Sequence, residues 1–153
     1  MFNIRVYGLL ITDERKVVVS DEYIRGNYFT KFPGGGLEFG EGTRDCLKRE
    51  FKEEMDLDVE VGDHIYTTDY FQMSAFNAAH QIISIYYFAK PLEPFRVPFK
   101  NKPFDFEPEQ VSDPNGTAES FRLIDWDDFS DEVVSLPIDK IVARLIKTTR
   151  LFI

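Results

Sequence analysis

Residues 34–57 read GGGLEFGEGTRDCLKREFKEEMDL, and this stretch decides how the rest of the chain is understood. Three successive glycines after Pro33 point to a loop over residues 33–36. Thr43, directly after Gly42, is a plausible N-cap for a helix that reaches about Met55. Leu47, Phe51 and Met55 recur every four residues and supply its buried stripe. On the same helix Glu50, Glu53 and Glu54 fall at i, i+3 and i+4, so their carboxylates share one face.

Such a face is unfavourable by itself. Like charges at this spacing each cost roughly a few tenths of a kcal/mol. Glu53, Glu54 and Asp56 also stand near the helix C-terminus, where the dipole disfavours anions. A bound cation offsets both penalties, and clustered carboxylate oxygens suit Mg²⁺ or Mn²⁺, which keep waters and accept phosphate oxygens as further ligands. Taken alone, the string is better read as an ordinary solvated face screened by Arg49 and Lys52.

The surrounding spacing changes the balance. Gly35, Glu41, Arg49, Glu50, Glu53 and Glu54 together resemble the signature box of the Nudix hydrolase superfamily, G-x5-E-x7-R-E-U-x-E-E-x-G-U, with U a bulky aliphatic. At residue frequencies near about one in fifteen, six such matches arise by chance about once in 10⁷ windows. Two positions depart from the pattern. Phe51 replaces an aliphatic, which alters packing, and Asp56 replaces the last glycine, where aspartate tolerates a left-handed turn moderately well. The lead-in Phe32-Pro33-Gly34-Gly35 and the late segment 119–129 extend the resemblance over nearly the whole chain.

The resemblance implies roles for particular residues. Glu50, Glu53 and Glu54 would be metal ligands for Mg²⁺ or Mn²⁺, with a backbone carbonyl around Gly35 as a further one. Arg49 would orient Glu50 through a charge-assisted hydrogen bond, and Glu41 would tie the glycine loop to the helix start. The general base is left open among Glu53, Glu54 and Glu119, the last being equally readable as a surface acid at a strand start. Tyr28 and Phe32 are candidates to stack on a nucleobase, although aromatics in strands are more often core. Lys31 is a candidate phosphate contact. Cys46 has no neighbouring histidine in sequence to activate it and is not read as a nucleophile.

Away from the box, residues 2–11 and 16–20 read as two strands joined by a turn, and residues 28–32 as a short aromatic strand. Residues 57–71 and 80–90 are β-rich. Six of the eight prolines fall in residues 91–118, an extended insertion open to two uses, a dimer contact or a lid over a pocket. A last strand follows from Glu119, and Pro137 opens a helix with Ile138, Ile141, Val142, Leu145 and Ile146 on its apolar face. Interleaved strands and two helices predict an α/β fold, a mixed sheet with a helix on each face. By resemblance this is the Nudix-type α/β/α sandwich, one domain over residues 1–153.

The chain has 153 residues, enough for one domain with a real core, and a net charge of −9. No basic cluster appears, so nucleic acid is not an expected partner. One cysteine, no signal-like apolar block and no run of membrane-span length give a soluble, cytoplasmic expectation. The expected reaction is metal-dependent cleavage of a phosphoanhydride in a small nucleotide, a nucleoside diphosphate linked to another group. A proline near Gln72 or Met73 and a tyrosine near Ser74, markers of ADP-ribose and dinucleotide enzymes, are missing. Nucleoside triphosphates and nucleotide-sugars remain by elimination. The competing reading is a nucleotide-sensing Nudix module without hydrolysis, which usually loses box glutamates; here they are intact.

Overall fold

A computed structural model describes residues 1–149. In chain order the elements are β1 (Phe2–Leu10), β2 (Lys16–Ile24), β3 (Asn27–Lys31), β4 (Gly34–Gly36), α1 (Thr43–Met55), β5 (Val59–Thr67), β6 (Gln81–Pro91), a 3-10 turn (Pro108–Val111), β7 (Thr117–Asp125) and α2 (Pro137–Thr148). The α/β class therefore stands. The strands form two sheets, however, where the interleaved pattern pointed to one. The cause is pairing: the apolar β6 runs parallel to the full length of β1, while β2 finds its long partner in β7. The chain divides into two compact units, each built from two stretches.

The first unit comprises Met1–Ile11 and Pro33–Arg96. Its sheet has the order β4-β1-β6-β5, with only the β1–β6 pair parallel. α1 packs on this sheet through Cys46, Leu47, Phe51 and Met55, all essentially inaccessible to solvent. Gly8 makes this contact possible, since a Cβ there would stand 2.6 Å from the Phe51 ring. Two details differ from the sequence reading. The triple glycine forms a strand, β4, paired antiparallel to Arg5, Val6 and Tyr7 of β1. Glycine is needed at its start, because Gly34 has φ +151° and a Cβ would collide with the Val6 carbonyl. The N-cap of α1 is Gly42, and Thr43 lies within the helix because its hydroxyl is engaged with the Tyr87 hydroxyl at 2.7 Å.

Asp56 closes α1 in the left-handed conformation, φ 48° and ψ 48°, the geometry that a glycine ordinarily supplies. Its N–H returns to the Lys52 carbonyl, and Arg96 donates to the Asp56 carbonyl at 2.8 Å. Lys52 stands 3.3 Å from the Asp56 carboxylate. Cations thus gather where the helix dipole is negative.

The second unit comprises Thr12–Phe32 and the chain from Val97 onward. Its sheet, β3-β2-β7, is wholly antiparallel. α2 buries Ile138, Val142 and Ile146, and Lys147 donates to the Trp126 carbonyl at 2.6 Å. Residues 97–116, the part of the proline-rich insertion that lies in this unit before β7, are irregular apart from a 3-10 turn. They are strapped to the sheet by Lys100 N–H on the Phe121 carbonyl and by the Tyr23 hydroxyl on the Asp113 carbonyl. Among the described residues no helix is long and apolar enough to cross a membrane.

Candidate functional site

In the first unit the glycine strand and α1 bring the box residues together around one guanidinium. Arg49 makes a bidentate pair with Glu41, at 3.0 Å from Nε and 2.7 Å from Nη2. Its Nη1 donates to Glu50 at 3.0 Å and to Glu53 at 3.2 Å, and Nη2 also donates to the Gly36 carbonyl at 3.0 Å. Glu41 meanwhile accepts the Glu38 N–H at 2.9 Å, which ties the loop after β4 to the helix. Planar, forked donors suit this pattern; a point cation would not reach three carboxylates and a carbonyl at once. These bonds hold the Glu41 carboxyl down to about 2, the Arg49 contact being the largest cause, and keep Arg49 firmly protonated. Glu38, part of the lead-in to the box, also lies 3.6 Å from Arg49.

Gly35 has a second purpose, distinct from strand geometry. A Cβ on it would stand 2.5 Å from the Glu50 carboxyl, so the missing side chain is the space that this carboxylate occupies. Glu50 is accordingly held between a bare backbone and Arg49. Among the described residues, no three acidic, histidine or cysteine side chains converge as they stand to grip an ion. The physical reason is visible: Arg49 draws Glu50 and Glu53 towards itself. The donor set nevertheless fits a hard divalent cation, with three carboxylates within little more than a turn and Glu50 seated on a glycine cradle. Glu53 is 59% exposed and is held by Arg49 at 3.2 Å, so a rotamer change is enough to redirect it. Since the Gly36 carbonyl is taken by Arg49, a backbone ligand from this strand would come from Gly35 or Gly34.

The remaining sequence candidates lie in the second unit, on two different faces of its sheet. Lys31 and Glu119 share a face, because Ser20 pairs with Lys31 across β2–β3 and Glu22 pairs with Glu119 across β2–β7. There the Ser20 hydroxyl contacts Glu22 at 2.9 Å and Glu119 at 3.1 Å, and Lys31 lies 3.2 Å from Glu22. Burial, then the charge on Glu22, pushes the Glu119 carboxyl up to about 7, against the opposing pull of Ser20 and Lys31. Sequence reasoning missed Ser20 and Glu22. The available signal was the polar run Ser20-Asp21-Glu22, which interrupts an apolar strand and puts Ser20 and Glu22 on one face. On the opposite face Asp21 accepts two bonds from Arg122, at 2.6 and 2.9 Å, and one from Thr30 at 2.6 Å.

The two aromatic candidates are placed differently again. Tyr28 is on the Asp21 face, its ring 5.3 Å from Tyr23 and 5.2 Å from Phe104. Phe32 is fully buried against Phe129, which leaves no ring face open to a base. Burial pushes the Cys46 thiol up to about 12, so it is no nucleophile at neutral pH.

Fold and site together define an α/β protein whose glycine strand and carboxylate-bearing helix form one structural piece. Residues 1–137 match the sequence profile of the NUDIX domain, and the chain belongs to the Nudix hydrolase family. No curated protein sequence matches it. Among solved structures, a NUDIX hydrolase from Nitrosomonas europaea superposes with a TM-score of 0.67 at 17% identity, over 96% of this chain and 89% of that one. The MutT protein from Methanosarcina mazei gives 0.67 at 12% identity, over 97% and 96%. An ADP-ribose pyrophosphatase from Streptococcus suis gives 0.58 at 14% identity, over 97% and 93%. At such identities the likeness is one of fold.

Proposed function

We propose that this chain is a divalent-metal-dependent pyrophosphohydrolase acting on a nucleoside diphosphate linked to another group, a nucleoside triphosphate or nucleotide-sugar being favoured. The observation that carries the reading is the seating of Glu50 on Gly35 while Arg49 gathers Glu41, Glu50 and Glu53. A purely structural acidic helix has no need of a glycine opposite one of its carboxylates.

Glu50, Glu53, Glu54 and the Gly35 carbonyl are the proposed ligands for Mg²⁺ or Mn²⁺. Such a cation, when bound, neutralises phosphate oxygens and the leaving group. Arg49 and Glu41 fix the helix against the glycine strand so that Glu50 keeps its place. Attack by water forms one P–O bond as the anhydride P–O bond breaks, and the water's proton passes to a carboxylate. Glu53, Glu54 and Glu119 are the candidates for that acceptor. Glu119, titrating near 7, is matched to accept a proton close to neutral pH. Lys31 is held by Glu22, so phosphate contact is assigned to the metal site in preference to Lys31.

The test is an assay of released phosphate and pyrophosphate with Mg²⁺ or Mn²⁺ over nucleoside triphosphates, nucleotide-sugars and dinucleotides. Glu53→Gln and Glu54→Gln are expected to lose on the order of 100-fold or more in turnover. Turnover that survives both substitutions overturns the site assignment; tight nucleotide binding with no turnover by the unaltered chain favours a sensor instead.

A further inference from the structure

Residues 70–89 contain no aspartate, glutamate, lysine or arginine, in a chain where these make up 29% of all residues. Residues 1–4 carry no charged side chain either. The fold brings the two segments together. Phe2 pairs with Gln81 across β1–β6, and Gln81 bridges to Met73, so the three side chains stand in one row on the same sheet face. The amino group of Met1 donates to the Ala79 carbonyl at 3.1 Å, and Gln72 accepts the Ile82 N–H at 2.8 Å. Ser74 N–H meets the His80 carbonyl at 2.9 Å and closes the intervening turn, which carries Phe76.

This corner of the first unit, whose two segments carry no charge but the Met1 ammonium, is exposed. Phe2 is 65% accessible, Phe71 69%, Met73 48% and Phe76 51%, with Met1 at 86% and Tyr70 at 38%. Large side chains of this kind carry roughly 150–250 Å² each. Six of them, about 60% exposed on average, present on the order of 600 Å² of mainly apolar surface. That is at the upper end of the largest apolar patch a monomer exposes, and such patches commonly mark interaction sites. The corner's composition, rich in phenylalanine and methionine and without charged side chains, is that of an interface core.

We propose that this corner is the self-association face of the protein, joining two copies about a twofold axis through Phe2, Phe71, Met73 and Phe76. Charge selects the occupant. A chain of net charge −9 repels its own copy over most of its surface, and an apolar corner built from segments without carboxylates is where two copies approach with least of that repulsion. About 600 Å² per copy gives on the order of 1,200 Å² in total, above the roughly 1,000 Å² expected of a specific interface. A twofold arrangement uses the same patch on both sides, so no second complementary surface is required.

Sedimentation equilibrium of the full chain, from about 1 to 100 μM, tests this. The expected result is a mass rising from the 17.8 kDa monomer to twice that value. Association should tighten with added NaCl, since salt screens the repulsion between like-charged copies. Phe71→Asp and Phe76→Asp, each with an unchanged far-ultraviolet circular dichroism spectrum, should weaken association at least tenfold. Hydrogen exchange on the unaltered chain provides a reading that no folding defect can confuse: amides of residues 1–4 and 70–82 should gain protection as concentration rises. A monomer throughout the range overturns the proposal, as does a dimer whose exchange protection appears elsewhere. Binding of the monomer to phosphatidylcholine vesicles, or protection of this corner by a nucleotide alone, also overturns it by supplying a different occupant.

Discussion

Two groups of carboxylates in this protein have opposite chemistry although both are built from glutamates. Around Arg49, Glu41 receives a forked pair of donors and a backbone N–H, and its carboxyl falls to about 2. On the sheet of the second unit, Glu119 shares one serine hydroxyl and one lysine with Glu22, and its carboxyl rises to about 7. The difference lies in how many donors each oxygen finds and how much water remains. An acid with more donors than charge ionises readily; a buried acid beside another acid keeps its proton. The first group is suited to hold cations and the second to exchange protons.

The largest effect that separates the two groups is expected from Gly35→Ala. The atoms nearest the new Cβ all belong to the Glu50 carboxyl and none to backbone, so the fold should survive while that carboxylate is displaced. A loss on the order of 100-fold in turnover, with Mn²⁺ affinity measured by calorimetry falling in parallel, is the expected outcome. Full activity with the methyl group in place would mean that Glu50 has no fixed position to lose. Arg49→Lys comes next. Lysine keeps the charge but cannot serve Glu41, Glu50, Glu53 and the Gly36 carbonyl together, and a drop of about 10-fold or more is expected, mainly in kcat. The Glu41 carboxyl should titrate closer to its ordinary 4.5 in that variant, measurable by carbon-13 NMR.

These two groups were unequally legible in the sequence. The helix Thr43–Met55, its buried stripe and its shared glutamate face follow from local periodicity, which a linear reading captures. The left-handed Asp56 was also within reach, because aspartate at a helix end has few other options. The strand made by Gly34–Gly36 was not, since glycine has no propensity for it and only pairing with β1 creates it. Ser20, Glu22 and Glu119 were invisible as a group for the same reason. Residues 99 positions apart meet only through the β2–β7 register, and register is a tertiary property. Phe32 and Tyr28 show the converse: an aromatic strand announces bulk, and only the fold decides that Phe32 is sealed in the core.

The third test concerns stability. Folded Glu119 takes up its proton near 7, whereas the unfolded chain does so near 4.5. Between those values the folded state holds more protons, so its contribution is fully present below pH 4.5 and is lost as the pH rises through 7. Glu119→Gln cannot ionise and should keep it. At pH 8 the variant is expected to be more stable than the unaltered chain by roughly 1–2 kcal/mol, allowing for partial exposure, with the gap closing below pH 5. Denaturant unfolding at several pH values reads this directly, and a variant destabilised equally at all of them would show that Glu119 is held ionised.

The smallest effect belongs to Lys31→Met. Lys31 lies 3.2 Å from Glu22 and is among the groups that pull Glu119 downward. Without that ammonium two carboxyls share one serine hydroxyl, and the pair should hold its proton to higher pH. The Glu119 signal is expected to move up by less than about one pH unit, because burial and Glu22 already dominate its environment. A downward move would mean that water enters the space vacated by the lysine and solvates the charge. Glu119 would then owe its high value to dryness alone, and the contrast with the Arg49 cluster would be one of burial with no part played by the count of donors.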